Sequence, residues 1–112
     1  MRKIEERMVQ AIRDRENFTL SNTSVKVYDN DLEVELFGNL IARLTDDGIL
    51  TLFTWCKEEY RSMTTKSRMN AILQGLRLNC AIIQRNGSWY LREDNGSRPT
   101  PCPNGKLIMI VR

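Results

Sequence analysis

Two dipeptides, Asp47-Gly48 and Asn86-Gly87, constrain the fold of this chain more than any other feature. Each stands between two short runs rich in apolar residues. Such a pair is the strongest short-range signal for a β-hairpin, because the turn needs residues that accept positive φ. The flanking runs, each predicted as a strand, are residues 40–45 and 49–55 for the first turn, and 80–84 and 88–92 for the second. Two hairpins predict a largely antiparallel sheet.

Two other stretches have the spacing of amphipathic helices. The first covers residues 1–15, and its apolar stripe comprises Ile4, Met8, Ala11 and Ile12. The second begins at Thr64 or Thr65, either of which can cap the helix start with its hydroxyl. Its apolar stripe comprises Met69, Ile72, Leu73 and Leu76. We expect Gly75 on the far face of this second helix and the helix end near Asn79.

Further strands are predicted at residues 24–28, 32–36 and 106–111. The second of these alternates leucine and valine with glutamate, which predicts one buried and one solvated face; the last is expected to be buried on both faces. Gly38-Asn39 predicts a turn or bulge, after which the strand resumes. The element order predicts a single α+β domain over residues 1–112, a mostly antiparallel sheet of about five to seven strands with two helices packed on it.

The residue types present narrow the possible chemistry. The chain has no histidine, so Ser-His and Cys-His nucleophile pairs are excluded. Nothing in the sequence selects a carboxylate pair or a tuned lysine instead. The three cysteines are far apart and form no CxxC motif, which argues against a zinc site and a disulfide framework. We therefore expect no enzyme activity, no metal and no cofactor.

The distribution of apolar residues bears on location. No apolar run approaches the roughly 18 residues that suggest a membrane span. The first ten residues, MRKIEERMVQ, are too charged to hold the apolar segment of a signal peptide. These features predict an intracellular protein that does not act at a membrane.

Charge is unevenly distributed along the chain. Residues 16–54 carry two basic and seven acidic side chains, whereas the rest of the chain carries fifteen basic and seven acidic ones. This pattern allows two interpretations. The acidic middle and basic flanks can complement one another within the fold, or they can polarise the surface and steer a charged partner.

The start of the second helix is the first candidate site. Its residues are cationic or hydroxyl-bearing: Lys57, Arg61, Thr65, Lys66, Ser67 and Arg68. Free N–H groups at a helix start attract anions, and cations there are unfavourable unless an anion compensates them. The cluster therefore predicts a site for a phosphate or for an acidic side chain of a partner. The alternative is a capped helix start whose cations point into water.

The second hairpin is the other candidate site, with Arg85, Trp89 and Arg92 as its residues. An aromatic side chain between arginines can stack on and neutralise a single-stranded nucleic acid, or it can anchor a protein interface. Since Trp89 and Tyr90 are adjacent on a strand, one is expected in the core and the other at the surface. The alternative is a hairpin with an ordinary aromatic anchor.

The segments "VELFGNLIARL", "TTKSRMNAILQGL" and "QRNGSWYL" follow one another in an order that carries a resemblance. With the charged N-terminal helix, they resemble a group of small tailed-bacteriophage proteins that share a "GNxIA … TTKSRxNA … WY" pattern. The resemblance runs to about Leu91. Phe37 departs from it, because a histidine is expected before Gly-Asn. The resemblance implies a phage origin and a location in the host-cell cytoplasm, and it implies no activity.

Taken together, these features favour binding over catalysis. We expect a non-catalytic phage accessory protein that binds and inhibits a host protein or ribonucleoprotein complex, foremost a defence system of the restriction, CRISPR or toxin type. An anti-CRISPR protein would be one example. Exposed edge strands, which can add to a partner's sheet, suit this role and also leave a homodimer open. Two alternatives remain: a small nucleic-acid-binding protein, and a nucleotide-binding sponge that holds a phosphate at residues 65–68.

Overall fold

A computed structural model describes residues 1–54, 62–103 and 105–111. Within these residues it shows two helices and nine strands. In chain order they are α1 Lys3–Asp14, β1 Phe18–Leu20, β2 Thr23–Tyr28, β3 Asp31–Leu36, β4 Asn39–Leu44, β5 Ile49–Thr54, α2 Met63–Gly75, β6 Cys80–Arg85, β7 Ser88–Glu93, β8 Thr100–Pro101 and β9 Gly105–Ile110. The prediction of an α+β fold with antiparallel strands and two helices is confirmed.

The strands form two sheets where one was predicted. The large sheet has the order β1-β2-β3-β4-β5-β9, and the small sheet has the order β6-β7-β8. Every pairing in both sheets is antiparallel. Since β9 follows the small sheet in the chain but pairs with β5, the last strand returns to the edge of the large sheet.

Both predicted hairpin turns are confirmed. Asn86 and Gly87 have φ of 51° and 80° and join β6 to β7, so both central residues adopt the positive φ that the sequence anticipates. Gly48, with φ of 85°, ends the turn between β4 and β5. A Cβ at Gly48 would lie 2.7 Å from the carbonyl oxygen of Val111, so the turn also needs glycine to let β9 approach.

The predicted turn or bulge at Gly38-Asn39 is a turn that lies one residue earlier, and a separate strand follows it. Phe37 and Gly38 both have positive φ, of 52° and 77°, and they form a two-residue turn that reverses the chain. β4 therefore begins at Asn39, opposite Leu36, and pairs back on β3. The dipeptide before Asn39, rather than Gly38-Asn39 itself, is the turn.

The core lies between the inner face of the large sheet, the two helices and the small sheet. α1 packs on β1 and β2, and α2 contacts β4 of the large sheet and β6 of the small one. The fully buried side chains that share this core include Met8, Val25, Leu32, Leu52, Met69, Leu73, Ile82 and Trp89. Asn70 of α2 joins the helix to β6, because its side-chain amide donates to the carbonyl of Ile82 and accepts the N–H of Ile82.

Two predictions about α2 are corrected by its packing. Its N-cap is Ser62 rather than Thr64 or Thr65, since the Ser62 hydroxyl accepts the N–H of Thr65 at 3.1 Å. Gly75 does not lie on a far, solvated face but is buried against α1, where a Cβ would come within 2.3 Å of Val9 Cγ1. α2 contacts α1 as well as both sheets, so it has a buried surface outside the single apolar stripe.

Candidate partner-binding surfaces

At the start of α2, a buried cation is neutralised by a carboxylate of the same protein. Arg68 is 3% exposed, and its guanidinium donates from Nη1 to Glu5 Oε2 at 2.9 Å. The same group donates from Nε to Thr23 Oγ1 at 3.0 Å and from Nη2 to Asn22 Oδ1 at 3.3 Å. Glu5 comes from α1 and is as buried as Arg68. The anion that compensates the cation at this helix start is therefore the protein's own carboxylate.

Glu5 is held in its charged form by three hydrogen bonds and by the charge of Arg68. Burial by itself raises the pKa of its carboxyl, but hydrogen bonds from Ser67, from the Arg2 N–H and from Arg68, with the positive charge of Arg68, outweigh burial. The pKa of Glu5 therefore lies below its ordinary value. Arg2 donates its backbone N–H to Glu5 Oε1 at 3.1 Å, so both carboxylate oxygens are occupied.

This arrangement corrects the first predicted site. Thr65 and Arg68 are buried, and Nε, Nη1 and Nη2 of Arg68 each donate to a group inside the fold, so neither side chain is placed to contact an external anion. Ser67 donates its hydroxyl to Glu5. Lys57 and Arg61 lie outside the described residues. The sequence alone does not show that a carboxylate from the other helix lies beside the start of α2.

A sequence signal for Glu5 did exist. Its spacing from Met8, Val9 and Ile12 places it on the buried stripe of α1, at intervals of three, four and seven residues. A carboxylate on an apolar stripe must be paired with a cation or protonated, because an isolated buried charge is very costly. The sequence pattern thus indicated a buried partner, although it could not say which cation supplies it.

Part of the helix start still borders a surface groove. The groove has a volume of about 370 Å³ and lies between the start of α1 and the exposed side of α2. It is lined by Met1, Arg2, Glu5, Met63, Lys66, Ser67, Asn70, Ala71 and Gln74. Lys66 is half-buried, and its Nζ lies 3.5 Å from the Gln84 side-chain oxygen of β6. Lys66 therefore remains near the surface, whereas Arg68 of the same predicted cluster is buried.

At the second predicted site, the aromatic residue that faces outward is Tyr90 rather than Trp89. Trp89 is 2% exposed and belongs to the core, so it cannot serve as the surface aromatic. Tyr90, its neighbour, is half-buried and lies on the opposite face of β7 together with Arg92. Arg85 is exposed and sits opposite Ser88, so it points to the same side as Tyr90. The expectation that one of the two aromatic residues is in the core is thus met by Trp89.

The outer face of the large sheet, which points away from the helices, changes in character from one edge to the other. One row of cross-strand neighbours runs Lys26, Glu33, Arg43, Thr51 and Ile108. The charged part is paired within itself, since Lys26 lies 3.0 Å from Glu35 and Arg43 lies 3.3 Å from Asp31. Both pairs lie within the acidic middle of the sequence, and none of the ion pairs among the described residues joins that middle to the basic flanks. The part nearest β9 is apolar.

The apolar strip at this edge comprises Ile49, Phe53, Ile108 and Ile110. The last two are 62% and 68% exposed, so the prediction that the final strand is buried on both faces is wrong. Ile110 lies opposite Ile49, and Lys106 lies opposite Phe53 with its Nζ 5.9 Å from the ring centroid. Four large apolar side chains thus line β5 and β9 on this face, and Lys106 is the one charged residue of β9.

The backbone of β9 offers hydrogen-bonding groups beside this strip. Val111 donates its N–H to the Gly48 carbonyl at 2.7 Å, so odd-numbered residues of β9 direct their backbone groups to β5. The N–H and C=O groups of Lys106, Ile108 and Ile110 therefore point to the other edge. In the part of the chain that the structure describes, no strand pairs with that edge. Such an edge is a template for a further strand.

Sequence reasoning missed this edge for a physical reason. The run Leu107-Ile108-Met109-Ile110 is apolar on both faces, and periodicity alone cannot distinguish a central strand from an edge strand with one apolar surface exposed. Only the sheet order reveals that β9 is the last strand. The single signal was Lys106, a residue type that is common on edge strands.

Among residues 1–54, 62–103 and 105–111, no group of three or more His, Cys, Asp or Glu side chains could hold a metal ion. None of the helices in these ranges is long and apolar enough to cross a membrane.

The model of a family described as Kyanoviridae Gp96 protein matches residues 1–108. No curated protein matches the chain, and no solved structure does.

Proposed function

Because the chain belongs to the Kyanoviridae Gp96 family, a family of phage proteins, we propose that it is a non-catalytic phage accessory protein that binds and inhibits a host protein. The binding surface in this proposal is the apolar strip with the adjoining edge of β9. One observation carries it: Ile108 and Ile110 are largely exposed on a strand whose second edge has no partner among the described residues.

The exposure of these isoleucines is costly for a protein that stays alone. Soluble proteins protect their edge strands with charges, prolines, bulges or covering segments, because a long apolar edge invites aggregation. β9 has six residues and one charge, Lys106. Fully burying an isoleucine gains about 1.5–3 kcal/mol, and Ile108 and Ile110 are about two-thirds exposed, so covering both contributes roughly 2–4 kcal/mol before the costs of association. This gain is the size expected of the centre of a protein interface.

The edge also specifies how a partner is held. A strand of the host protein pairs with Lys106, Ile108 and Ile110 through their outward N–H and C=O groups, which extends the large sheet by one strand. Alternate side chains of that strand lie against Ile108 and Ile110, which gives specificity. Inhibition follows where the host protein uses the same strand, or the surface beside it, for its own substrate or subunit.

A capture experiment tests the binding step. Tagged wild-type protein and the double variant Ile108→Lys with Ile110→Lys are used to capture proteins from nuclease-treated extracts of phage-infected host cells. Phe37→Lys is the matched control, because Phe37 is 71% exposed and lies at a β3–β4 turn outside the strip. We expect a host protein that wild type and Phe37→Lys retain and that the double variant loses. Equal recovery with the double variant would refute this surface assignment.

Inhibition of a defence system is tested separately. Host strains that carry a restriction, CRISPR or toxin system express either the wild-type protein or the double variant, and phage plating efficiency is measured. We expect the wild-type protein to raise plating at least about tenfold in one of these strains, and the double variant to raise it much less. If plating is unchanged in every strain although the capture succeeds, the host protein serves another process.

A second copy of the chain is the competing occupant of the edge. Light scattering of the purified wild-type protein distinguishes it, because strand pairing between two copies would give a dimer that Ile108→Lys with Ile110→Lys makes monomeric. A monomer at micromolar concentration leaves the edge accessible to a host strand. A stable dimer would remove the surface on which the proposed function rests.

A further inference from the structure

The outer face of the small sheet carries a second surface, separate from the apolar strip. Tyr90 lies at its centre, with Ile83 directly opposite on β6 and Pro101 directly opposite on β8. Arg92 lies two residues along β7 on the same side, roughly 7 Å away. Arg85 is the diagonal cross-strand neighbour of Tyr90, roughly 7–8 Å away. We call these five residues the basic face.

The two arginines of the basic face keep their charge available. The ion pairs found among the described residues do not include Arg85. Arg92 has one nearby carboxylate, Asp94, at 3.9 Å, and both side chains are more than half exposed, so this pair is weak. Arg68, by contrast, is neutralised inside the fold by Glu5 at 2.9 Å. Among the described residues, the one ion pair that involves the basic face is therefore long and exposed to solvent.

The aromatic ring between these cations is held by its neighbours. Tyr90 is half-buried between Ile83, which is also half-buried, and Pro101, which is exposed like Arg85 and Arg92. A ring that is flanked on both adjacent strands loses little conformational entropy when it makes a further contact. Arg85 on β6, followed by Tyr90 and Arg92 on β7, thus forms an oblique line across the two strands. A flat base can stack on the ring while the phosphates on either side contact the arginines.

We propose that the basic face binds single-stranded nucleic acid. The charge of the face selects a polyanion, and the central ring selects one whose bases are unpaired, because the base faces of a duplex are hidden in its own stack. An acidic protein surface is also negatively charged, but it does not present a row of flat rings that could stack on Tyr90. The proposal is independent of the host-protein surface, since the two surfaces lie on different sheets.

Fluorescence anisotropy with a labelled single strand of about 12 thymidines tests the proposal, since a site of this kind covers roughly 4–16 nucleotides. A duplex of equal length and a uridine strand serve as competitors. The charge variant is Arg85→Glu with Arg92→Glu. Its matched control is Lys3→Glu with Arg7→Glu, which makes the same change in net charge on the exposed side of α1. Tyr90→Leu removes the ring, and Tyr90→Phe keeps it.

The expected results are specific. Wild type binds the single strand more tightly than the duplex, and its affinity falls with salt with a logarithmic slope of about −1.4, as for two phosphate contacts on a single strand. Arg85→Glu with Arg92→Glu lowers the affinity at least about tenfold and flattens the slope, whereas the α1 control changes both much less. Tyr90→Leu weakens binding by roughly five- to 150-fold, as for loss of one stacked base, and Tyr90→Phe restores it.

Three results would overturn the proposal. The first is wild-type protein that does not bind the single strand at about 50 mM salt, where electrostatic contacts are strongest. The second is equal weakening by the two charge variants, because that pattern means unspecific attraction. The third is loss of a host protein rather than of the oligonucleotide in Arg85→Glu with Arg92→Glu, which would make the face a protein interface. Thermal melting of each variant, with Tyr90→Phe as the mildest change, separates these results from unfolding.

Discussion

The pair formed by Glu5 and Arg68 shows how a cation that looks functional in sequence becomes a structural one. Both side chains are buried, and they join α1 to α2 across 62 intervening residues. A buried ion pair is weak evidence for stability as a whole, because desolvation offsets the attraction, but removal of one partner leaves an uncompensated charge. The sequence shows Arg68 beside Lys66 and Ser67, but it does not show which distant carboxylate pairs with Arg68.

Replacement of Glu5 by glutamine is expected to lower the free energy of unfolding by about 3 kcal/mol, because Arg68 then remains buried without a countercharge. Urea denaturation at neutral pH measures this. Glu6→Gln is the matched control, since Glu6 is the adjacent, exposed carboxylate of the same helix, and it should change stability by less than about 0.5 kcal/mol. Equal midpoints for the two variants would show that the pair contributes nothing.

The pH dependence of stability gives a second test of the same pair. The pKa of Glu5 in the folded protein lies below its ordinary value of 4.5, so the unfolded chain binds the proton more readily. The stabilisation is therefore complete above pH 4.5 and is lost as the pH falls through the folded pKa. We expect wild type to lose stability relative to Glu5→Gln below about pH 4.5. Urea midpoints from pH 7 to pH 3 measure it, and parallel curves would contradict it.

Gly75 is the second residue whose role depends on the other helix. In an isolated helix, alanine is favoured over glycine by about 1 kcal/mol. Here a Cβ would lie 2.3 Å from Val9 Cγ1, and overpacking of this kind typically costs 1–3 kcal/mol. Gly75→Ala is therefore expected to be neutral to destabilising by about 2 kcal/mol, and Val9→Ala with Gly75→Ala to be less destabilised than the two single changes together. Urea midpoints decide it, and a stabilised Gly75→Ala would mean that α1 moves freely.

At the scale of elements, local signals predicted the hairpins and helices but not their neighbours. The hairpins predicted from Asp47-Gly48 and Asn86-Gly87 are correct because turn formation depends on local residues. The helix predicted from the apolar stripe of α1 is correct because one side of that helix is buried. α2 is buried on more than one side, so a single-stripe interpretation placed Gly75 wrongly. β9 was misjudged because an apolar run does not reveal whether a strand lies beyond it.

The edge position of β9 leads to a proline test. Ile108 directs its N–H to the edge away from β5, and proline is tolerated on an edge strand where the N–H is not needed for the ladder. Ile108→Pro should therefore leave the protein folded but abolish strand pairing with a partner. Met109→Pro removes an N–H directed at β5 and should lower stability by at least about 1 kcal/mol.

Thermal melting and capture of the host protein measure the two effects, with Ile108→Val as the control that retains the N–H. Full binding by Ile108→Pro would show that the partner contacts only the side chains of the strip. Unfolding of Ile108→Pro with intact Met109→Pro would reverse the assigned direction of the β9 backbone groups.

On the scale of the whole molecule, the two sheets divide the surface into parts with different physical character. The outer face of the large sheet pairs its own charges and ends in an apolar strip, whereas the small sheet presents arginines around a tyrosine. The basic flanks of the sequence are therefore used in two ways, with Arg68 neutralised internally and Arg85 and Arg92 left at the surface. The family match confirms the phage origin that the sequence resemblance implied.

This division predicts that the two binding activities separate by salt as well as by mutation. Affinity for the host protein, centred on Ile108 and Ile110, should change little between about 50 and 200 mM salt, because an apolar contact releases no counterions. Affinity for the single strand, which depends on Arg85 and Arg92, should fall steadily over the same range. Each double variant should lose its own ligand and keep the other, since mutations at distant sites act independently. Parallel salt titrations of both complexes, with all four combinations of wild-type and altered surfaces, measure this, and loss of both ligands from either double variant would mean that the surfaces form one site.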